Sequence, residues 1–363
     1  MCDRMEGMFV DKRENLVSLL RRRGFSEFPV QFSLCPALEK RYRTETGSDL
    51  GYEEYFGFSE RSIPGPRPPA RDERVFLPYY RQPLKPGATI DLWGVAHEPG
   101  SAAAMHMTYM RNPLRDAVSL EEIQSYPYPD YAHADTSHMR AAADALHARG
   151  LAATGNMQCT VWETAWYMRG MENLMMDMLE DDPKAECLLD IVTDRAVKRA
   201  EAFARAGADL LYLGDDVGMQ RTPMMSMSLY SDWLKPRIKR VIDAARAVKP
   251  DIVIMYHSCG FVTPFIPHLI EVGVDVLNPV QPECMDFGEI HAEFGRALSF
   301  HGTLGTQTTM PFGTPGEVKK TVWKNAEIAG NAGGLWVAPT HLLEPEVPWE
   351  NVVAYVEACR ALS

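Results

Sequence analysis

Two side chains that bind soft metal ions, His257 and Cys259, lie on alternate positions in the stretch YHSCG. The apolar run IVIM precedes them and predicts a buried strand that ends near Gly260. Because residues i and i+2 of a strand point to the same face, both side chains should enter one space. Neutral imidazole and thiolate are ligands that Zn²⁺ favours. The pattern predicts a zinc site, and a buried histidine beside an inert core cysteine is the plainer alternative.

A third ligand decides between these two interpretations, and the sequence offers two candidates. His341 directly ends the apolar run LWVAPT, whereas Cys284 lies several residues into the loop after NPVQ. His341 is therefore the preferred third ligand. Three protein ligands with an open fourth position are typical of a catalytic zinc site.

Acids and a further histidine also end apolar runs. Asp215 and Asp216 follow LLYLG, and His301 follows LSF. Adjacent strand residues face opposite sides, so one of the two acids should reach the site, where it would accept a hydrogen bond from substrate or orient a ligand histidine. The alternatives are a loop or helix-capping role for the acids and an ordinary strand end for His301.

Four more residues are expected to bind substrate. Met219 belongs to a methionine-rich loop after the acids, which predicts either pocket lining or ordinary core packing. The other three are amide side chains at or just beyond the ends of predicted strands: Asn156, Asn278 and Gln281.

The elements that must position these residues alternate regularly over about residues 141–363. Helix, small-residue turn and apolar strand repeat, as in CLLDIVTDRAVKRAEAFARAGADLLYLGDD. With Phe28–Cys35 as a first strand, about eight strands are expected. This alternation of helices and strands predicts a (β/α)8 TIM barrel, in which the carboxyl ends of the strands meet at one site.

The first part of the chain, about residues 1–140, is less regular and predicts a helical and hairpin extension with a lid. Phe58–Phe76 is rich in proline and polar residues and predicts a long loop or lid. Ala88–Glu98 and Met105–Met110 predict an antiparallel hairpin. We expect the extension and the barrel to form one domain over residues 1–363.

Composition limits the classes of function. The chain is 46% hydrophobic and 24% charged, as in ordinary globular proteins, and its net charge of −12 argues against nucleic acid or an anionic membrane as partner. No run is long enough to span a membrane, the N-terminus is too charged for a signal peptide, and seven cysteines lack disulfide-scaffold spacing. We therefore expect a cytoplasmic protein. Neither a dinucleotide-binding G-x-G-x-x-G after a strand nor a P-loop occurs.

Several segments together resemble the uroporphyrinogen decarboxylase superfamily from about residue 156 to the C-terminus. They are AGADLLYLGDD, YHSCGFVTPFIPHLIEVGVDVLNPVQ, FHGTLGTQTTMPFGTPGEV and GGLWVAPTHLLEPEVPWENV. The resemblance implies a (β/α)8 barrel with one of two activities. One branch decarboxylates uroporphyrinogen without a metal, and the other uses zinc to move methyl groups between corrinoid proteins and thiols or related acceptors.

The zinc branch is the more similar one. Its H-x-C motif carries over to His257 and Cys259, and His341 stands where its P-x-Cys supplies the third ligand. The arginine-rich element of the decarboxylase branch is absent from FPVQFSLCPALEKRYR, although a polycarboxylate substrate would need several fixed cations.

The sequence therefore predicts a zinc-dependent methyltransferase that moves a methyl group between a small methylated compound or thiol and a corrinoid protein. Asp215, Asp216 and His301 are its expected catalytic residues. A His257, Cys259 and His341 set would leave Zn²⁺ with a net charge of +1, which favours demethylation of an ether or amine donor. The alternatives are a uroporphyrinogen decarboxylase and a non-catalytic corrinoid- or tetrapyrrole-binding barrel. The resemblance also raises the expectation of a homodimer.

Overall fold

Short strands separated by helices carry the fold. The computed structural model describes residues 11–100 and 107–362. In chain order the strands of these residues are β1 (Glu60–Ser62), β2 (Thr89–Ile90), β3 (Ala96–Pro99), β4 (Thr108–Arg111), β5 (Ala152–Gln158), β6 (Leu210–Gly214), β7 (Val253–His257), β8 (Val276–Asn278), β9 (Ser299–His301) and β10 (Leu335–Trp336).

The central sheet is parallel. Within the described part of the chain it has seven strands in the order β1-β5-β6-β7-β8-β9-β10. Successive strands are therefore neighbours, and helices connect most of them, which is the connectivity of a barrel. The predicted (β/α)8 TIM barrel is confirmed.

The helices have the following bounds: α1 (Lys12–Leu20), α2 (Pro36–Thr46), α3 (Tyr52–Phe56), α4 (Leu120–Gln124), α5 (Ser137–His147), α6 (Trp162–Arg169), α7 (Met171–Leu179), α8 (Pro183–Ala206), α9 (Met227–Leu229), α10 (Lys235–Val248), α11 (Ile266–Val272), α12 (Phe287–Phe294), α13 (Thr309–Phe312), α14 (Pro315–Ala329) and α15 (Trp349–Arg360). A π-helical turn, Tyr230–Leu234, joins α9 to α10. None of the described helices is both long and apolar enough to cross a membrane.

Helix α8 illustrates how the sequence sets these boundaries. Asp182 accepts a hydrogen bond from the Lys184 N–H, and Pro183 takes the first helical position, where no N–H is needed. The helix ends at Gly207, whose φ of +92° is left-handed. Its buried face holds it against the sheet and includes Leu188, Leu189, Val192, Ala196, Ala200 and Phe203.

The segment Phe28–Cys35 lies beside the last strand of the sheet but is not a regular strand. Among its residues only Leu34 forms a β-bridge, parallel to Leu343. The prediction of a strand over the whole segment is wrong, because backbone pairing among the described residues is confined to Ser33 and Cys35 with Leu343, and Gln31 bonds to a side chain instead. The Tyr355 hydroxyl both accepts from the Gln31 N–H and donates to the Gln31 carbonyl.

The extension contains a second, antiparallel sheet, β2-β3-β4. Pairing of β3 with β4 confirms the predicted hairpin, and residues 101–106, which include its turn, lie outside the described residues. Ala88–Glu98 is not one strand, because a turn at Asp91–Gly94 divides it. The prediction of a continuous loop over Phe58–Phe76 is also wrong, since β1 lies within it.

The strand register brings two of the predicted site residues, His257 and Asn278, into one row. Gln158 pairs with Gly214, Gly214 with His257, and His257 with Asn278. These four residues are the last residues of β5, β6, β7 and β8. The carboxyl ends of four neighbouring strands therefore meet at one mouth.

Candidate metal centre and substrate cavity

Three donor atoms converge at the ends of β6 and β7. Cys259 Sγ lies 3.4 Å from His257 Nε2, and Asp216 Oδ1 lies 3.5 Å from the same nitrogen. Ligand atoms of the three residues all lie within 4.8 Å of one another. Tetrahedral zinc, with bonds of about 2.0–2.3 Å, separates its ligands by about 3.3–3.6 Å. The donor types and spacing fit zinc.

The imidazole of His257 is held with Nε2 facing these donors. Its Nδ1 lies 2.6 Å from Asn278 Oδ1 and 3.2 Å from the Tyr212 hydroxyl, which itself donates to Asn278 Oδ1. Nδ1–H therefore donates to the amide oxygen, and the lone pair of Nε2 is left for a metal. Burial lowers the pKa of His257, which favours the neutral form that binds metals.

A second histidine extends this hydrogen-bonded chain. Asn278 Nδ2 donates to His301 Nδ1 at 2.5 Å, so the opposite ring nitrogen of His301 donates to Gln31 Oε1 at 3.1 Å. Burial, with a smaller contribution from His257, lowers the pKa of His301 to about 3. His301 is therefore neutral at physiological pH, with a single ring proton on Nε2 that it donates to Gln31, and it carries no positive charge there.

The two adjacent acids have different surroundings. Asp215 is buried, and its carboxylate accepts hydrogen bonds from the backbone N–H groups of Val161 and Glu163 at 2.9–3.1 Å. Asp216 Oδ1 instead accepts from the Cys259 N–H at 2.8 Å. Asp215 thus ties the β6 loop to the start of α6, and Asp216 contacts both other members of the donor cluster.

Close approach of two loops positions Cys259. Gly260 has a φ of +85°, and a Cβ built there would lie 2.7 Å from the Met219 carbonyl oxygen. The Gly260 N–H donates to Gln281 Oε1 at 3.1 Å, and the Phe261 N–H donates to the Met219 carbonyl at 2.7 Å. Gln281 and the Met219 backbone therefore hold the loop, while the Met219 side chain is 53% exposed.

The remaining predicted residues lie around this cluster. His341 has its ring 6.4 Å from the His257 ring between centroids, and it does not belong to the donor group found within 4.8 Å among the described residues. Cys284 lines a separate cavity with Glu283 and Asp286. Asn156 is exposed to the barrel cavity, and its amide oxygen accepts from the Gln158 N–H.

Two cavities border the donor cluster. The first, about 340 Å³, lies in the barrel mouth and is lined by Asn156, Tyr212, His257, Asn278 and His301 together with fifteen other residues. The second, about 410 Å³, is lined by Cys259, Met219 and Gln281. Both are lined by Thr340, His341 and Leu342. His341 therefore stands between two spaces that open onto the donor atoms from different sides.

Sequence reasoning missed Tyr212 and Glu163. Tyr212, Gly214 and Asp216 alternate on β6 and its extension, so period 2 could have placed Tyr212 and Asp216 on the same face. Glu163 Oε2 accepts from the Asp216 N–H at 3.2 Å, and its other oxygen accepts from the Tyr167 hydroxyl at 2.8 Å. Burial and the Asp216 charge raise the pKa of Glu163 to about 7. No local pattern marks Glu163.

The fold and the site together define a β/α barrel with candidate metal ligands at the strand ends. A family model described as Uroporphyrinogen decarboxylase (URO-D) matches residues 92–362. The chain belongs to the uroporphyrinogen decarboxylase family.

Curated relatives agree with the branch that the sequence indicated, and a solved structure agrees with the fold. Two of the relatives are described as methylcobamide:CoM methyltransferase MtaA. The one from Methanosarcina barkeri is 27% identical over 173 residues, and the one from its strain Fusaro / DSM 804 is 26% identical over 173. Each match covers 48% of both proteins, so the chain spans about half the length of the curated relatives it matches. A methyltransferase from Methanosarcina mazei has the same fold, with a TM-score of 0.66, 17% identity and coverage of 97% of this chain and 98% of that one.

Proposed function

We propose that this chain is a zinc-dependent methyltransferase that moves a methyl group between a small compound and a corrinoid protein. The observation that carries the proposal is the donor cluster of Asp216, His257 and Cys259, with Asn278 orienting His257 from behind. The names of the curated relatives add a methylated cobamide as reactant. Membership of a family with a methyltransferase branch supports the same reaction class.

Two residues compete for the third ligand position. The Asp216 carboxylate is supported by its 3.5 Å distance from His257 Nε2. His341 is supported by its place after the last strand and at the border of both cavities. We propose Asp216 as the third ligand and leave His341 to contact the substrate.

The choice of third ligand changes the charge of the site. With Asp216 and the Cys259 thiolate, two negative charges make a Zn²⁺ site formally neutral, whereas the set with His341 leaves +1. A neutral site keeps a bound thiolate nucleophilic, and a positive site polarises a methyl donor more strongly. The expectation of donor demethylation therefore applies only if His341 binds the metal, and with Asp216 a thiol acceptor fits equally well.

The reaction needs little more from the protein than positioning. When bound, zinc supplies Lewis-acid chemistry to the sulfur, oxygen or nitrogen that carries or receives the methyl group. Asn278 and Tyr212 hold the ligand imidazole, and the barrel cavity orients the small compound. On demethylation, the electron pair of the broken bond stays with the heteroatom, and reduced corrinoid cobalt of the partner supplies the pair for the new bond. Transfer to an acceptor reverses these steps.

Decarboxylation of uroporphyrinogen is the competing function within the family. No Lys or Arg of the described residues lines the barrel cavity. A substrate with many carboxylates needs fixed cations, so the cavity favours the methyltransferase.

The test is the zinc content of protein purified without added metal. We expect one zinc ion per chain, its loss in a His257→Ala, Cys259→Ala double variant, and strong loss in Asp216→Asn. His341→Ala should keep the metal, and so should the controls His133→Ala and Asp243→Asn, which are exposed and distant in the chain from the cluster.

Stoichiometric zinc in the double variant would contradict the metal site. Zinc loss in His341→Ala but not in Asp216→Asn would assign the third position to His341. Folded wild-type protein without zinc, but with activity on uroporphyrinogen, would favour the decarboxylase, and no zinc with no activity would favour a binding barrel.

A further inference from the structure

The barrel cavity beside His257 carries negative charge without a matching cation. Glu53 and Glu60 line it, and no Lys or Arg of the described residues does. Glu53 has an ion-pair partner, since Arg61 Nε lies 3.4 Å from its carboxylate. Glu60 forms no ion pair within 4.0 Å in the described part of the chain. Glu60 is therefore a carboxylate of the cavity wall with which a cationic group of a ligand could form an ion pair.

The geometry of β1 directs this carboxylate inward. Glu60 and Ser62, which are alternate residues of β1, both line the cavity, and so does Phe58 just before the strand. Arg61 lies between them and donates to Glu54 and to the backbone carbonyls of Phe58 and Glu60. The guanidinium is thus engaged on the other face of the strand.

One buried polar atom of the same cavity also lacks a partner. Trp336 lines the cavity, and its Nε1 is buried and makes no hydrogen bond with the described residues. Buried polar groups are nearly always paired, so this atom points to a ligand with its own hydrogen-bonding groups. The Thr154 side chain lies beside the Glu60 carboxyl, and its contact with that group lowers the pKa of Glu60.

The other walls suit an organic cation. Phe32, Phe58, Tyr212 and Trp336 supply aromatic surface to the cavity. Aromatic faces attract ammonium groups, and a carboxylate among them adds a charge-assisted hydrogen bond. A sulfonate or carboxylate in this space would meet a like charge and find no cation among the lining residues described.

We propose that the barrel cavity binds a small molecule that carries an ammonium group, and that Glu60 is the residue that recognises it. The sulfur, oxygen or nitrogen that exchanges the methyl group would point to the donor cluster at the other side of the cavity. The identity of that reacting atom rests on the proposed function, whereas recognition of the ammonium group rests on the cavity alone. The proposal narrows the substrate to an amine-bearing thiol or methylated compound.

Three ligands that differ in one end group test the charge preference. They are 2-(methylthio)ethylamine, 2-(methylthio)ethanol and 2-(methylthio)ethanesulfonate, titrated calorimetrically into the protein as purified. We expect the amine to bind at least about tenfold more tightly than the alcohol, since a partly desolvated charged hydrogen bond has that strength, and the sulfonate to bind most weakly.

The matched variants are Glu60→Gln and Glu54→Gln. Glu60→Gln should remove the preference for the amine while keeping the affinity for the alcohol, whereas Glu54→Gln changes a carboxylate outside the cavity and should keep the preference. No binding of the amine, equal or tighter binding of the alcohol or sulfonate, or a preference that survives Glu60→Gln would each overturn the proposal. The result is independent of the metal: a zinc-free chain that selects the amine contradicts the proposed function alone, and a zinc-bound chain without charge preference contradicts this inference alone.

Discussion

Asn278 lies between two histidines and fixes the hydrogen-bonding state of both. Its amide oxygen is 2.6 Å from His257 Nδ1, and its amide nitrogen donates to His301 Nδ1. An amide has one accepting and one donating end, so His257 must be protonated on Nδ1 and His301 on Nε2. One buried side chain therefore leaves the metal-facing nitrogen of His257 unprotonated.

Replacing Asn278 by leucine should weaken zinc binding without removing a ligand. His257 would lose its acceptor and could rotate or change tautomer, and loss of such a supporting hydrogen bond typically lowers metal affinity about 10–100-fold. Competition with a chromophoric chelator at neutral pH measures the change. Asn156→Leu, in the same cavity but without contact to His257, is the control. Equal zinc affinities for the two variants would show that Asn278 does not position the ligand.

The neighbouring acids should separate stability from metal binding. Asp215→Asn places an amide N–H₂ against backbone N–H groups in a buried site, and we expect a loss of about 1–3 kcal/mol in the free energy of unfolding. Zinc content should stay unchanged. Asp216→Asn should instead lower the zinc content and leave the free energy of unfolding nearly unchanged, because Asp216 is half-buried and contacts the donor cluster. Urea unfolding and metal analysis of both variants test this division of roles. A similar loss of stability in both variants would contradict it.

The sequence indicated the core of the site because the signal there is local. His257 and Cys259 share a face by period 2, and Asn278 ends the adjacent strand. The same rule, applied from Tyr212 through Gly214, selects Asp216 over Asp215, a choice that the sequence prediction left open.

The outer parts of the site depend on contacts that sequence periodicity does not encode. The last strand was expected to end at His341, but β10 ends at Trp336, and the further residues carry His341 away from the donor cluster. Glu60 lies in a strand of three residues, too short for a periodic signal. Gln31 is held by Tyr355, which lies 324 residues away in the chain.

The amino-terminal side of the barrel should lose stability in acid through Asp209. This carboxylate accepts from Arg13 at 2.8 Å, from His147 at 2.9 Å and from the Ala153 N–H at 2.9 Å. Burial alone would raise the pKa of Asp209, but these partners, Arg13 foremost, leave it lowered. Because the folded pKa is depressed, the stabilisation is present above the unfolded value of about 3.9 and is lost as pH falls through the folded value.

Asp209→Asn should therefore destabilise the protein by about 1–2 kcal/mol near neutral pH, because it leaves the Arg13 charge, which solvent partly screens, without its partner. The difference from wild type should shrink below about pH 4, where the wild-type carboxylate also becomes protonated. Unfolding by urea at several pH values measures this. Asp243→Asn, in an exposed pair with Lys239, should change stability by no more than about 0.5 kcal/mol. A pH-independent loss in Asp209→Asn would rule out the ionic explanation.

The ionisation of Glu60 should destabilise the folded protein, whereas the ionisation of Asp209 stabilises it. Burial raises its pKa from 4.5 to about 6, Glu53 adds to the rise, and Thr154 and Arg61 oppose it. The charged groups that face it are Glu53 and Arg61, with the hydroxyls of Tyr52 and Tyr212 nearby. The folded chain thus keeps this proton to higher pH than the unfolded chain does.

Stability should therefore fall as pH rises from the unfolded value near 4.3 to the folded value near 6, and the loss should persist above that range. Glu60→Gln removes this loss, so the variant should be more stable than wild type at neutral pH by up to about 2 kcal/mol, the equivalent of the shift in pKa. The gain should vanish below about pH 4, where wild-type Glu60 is protonated in both states. Urea unfolding across this range, with Glu54→Gln as control, checks the sign. A variant that is less stable than wild type at neutral pH would mean that a cation already pairs with Glu60 in the free protein.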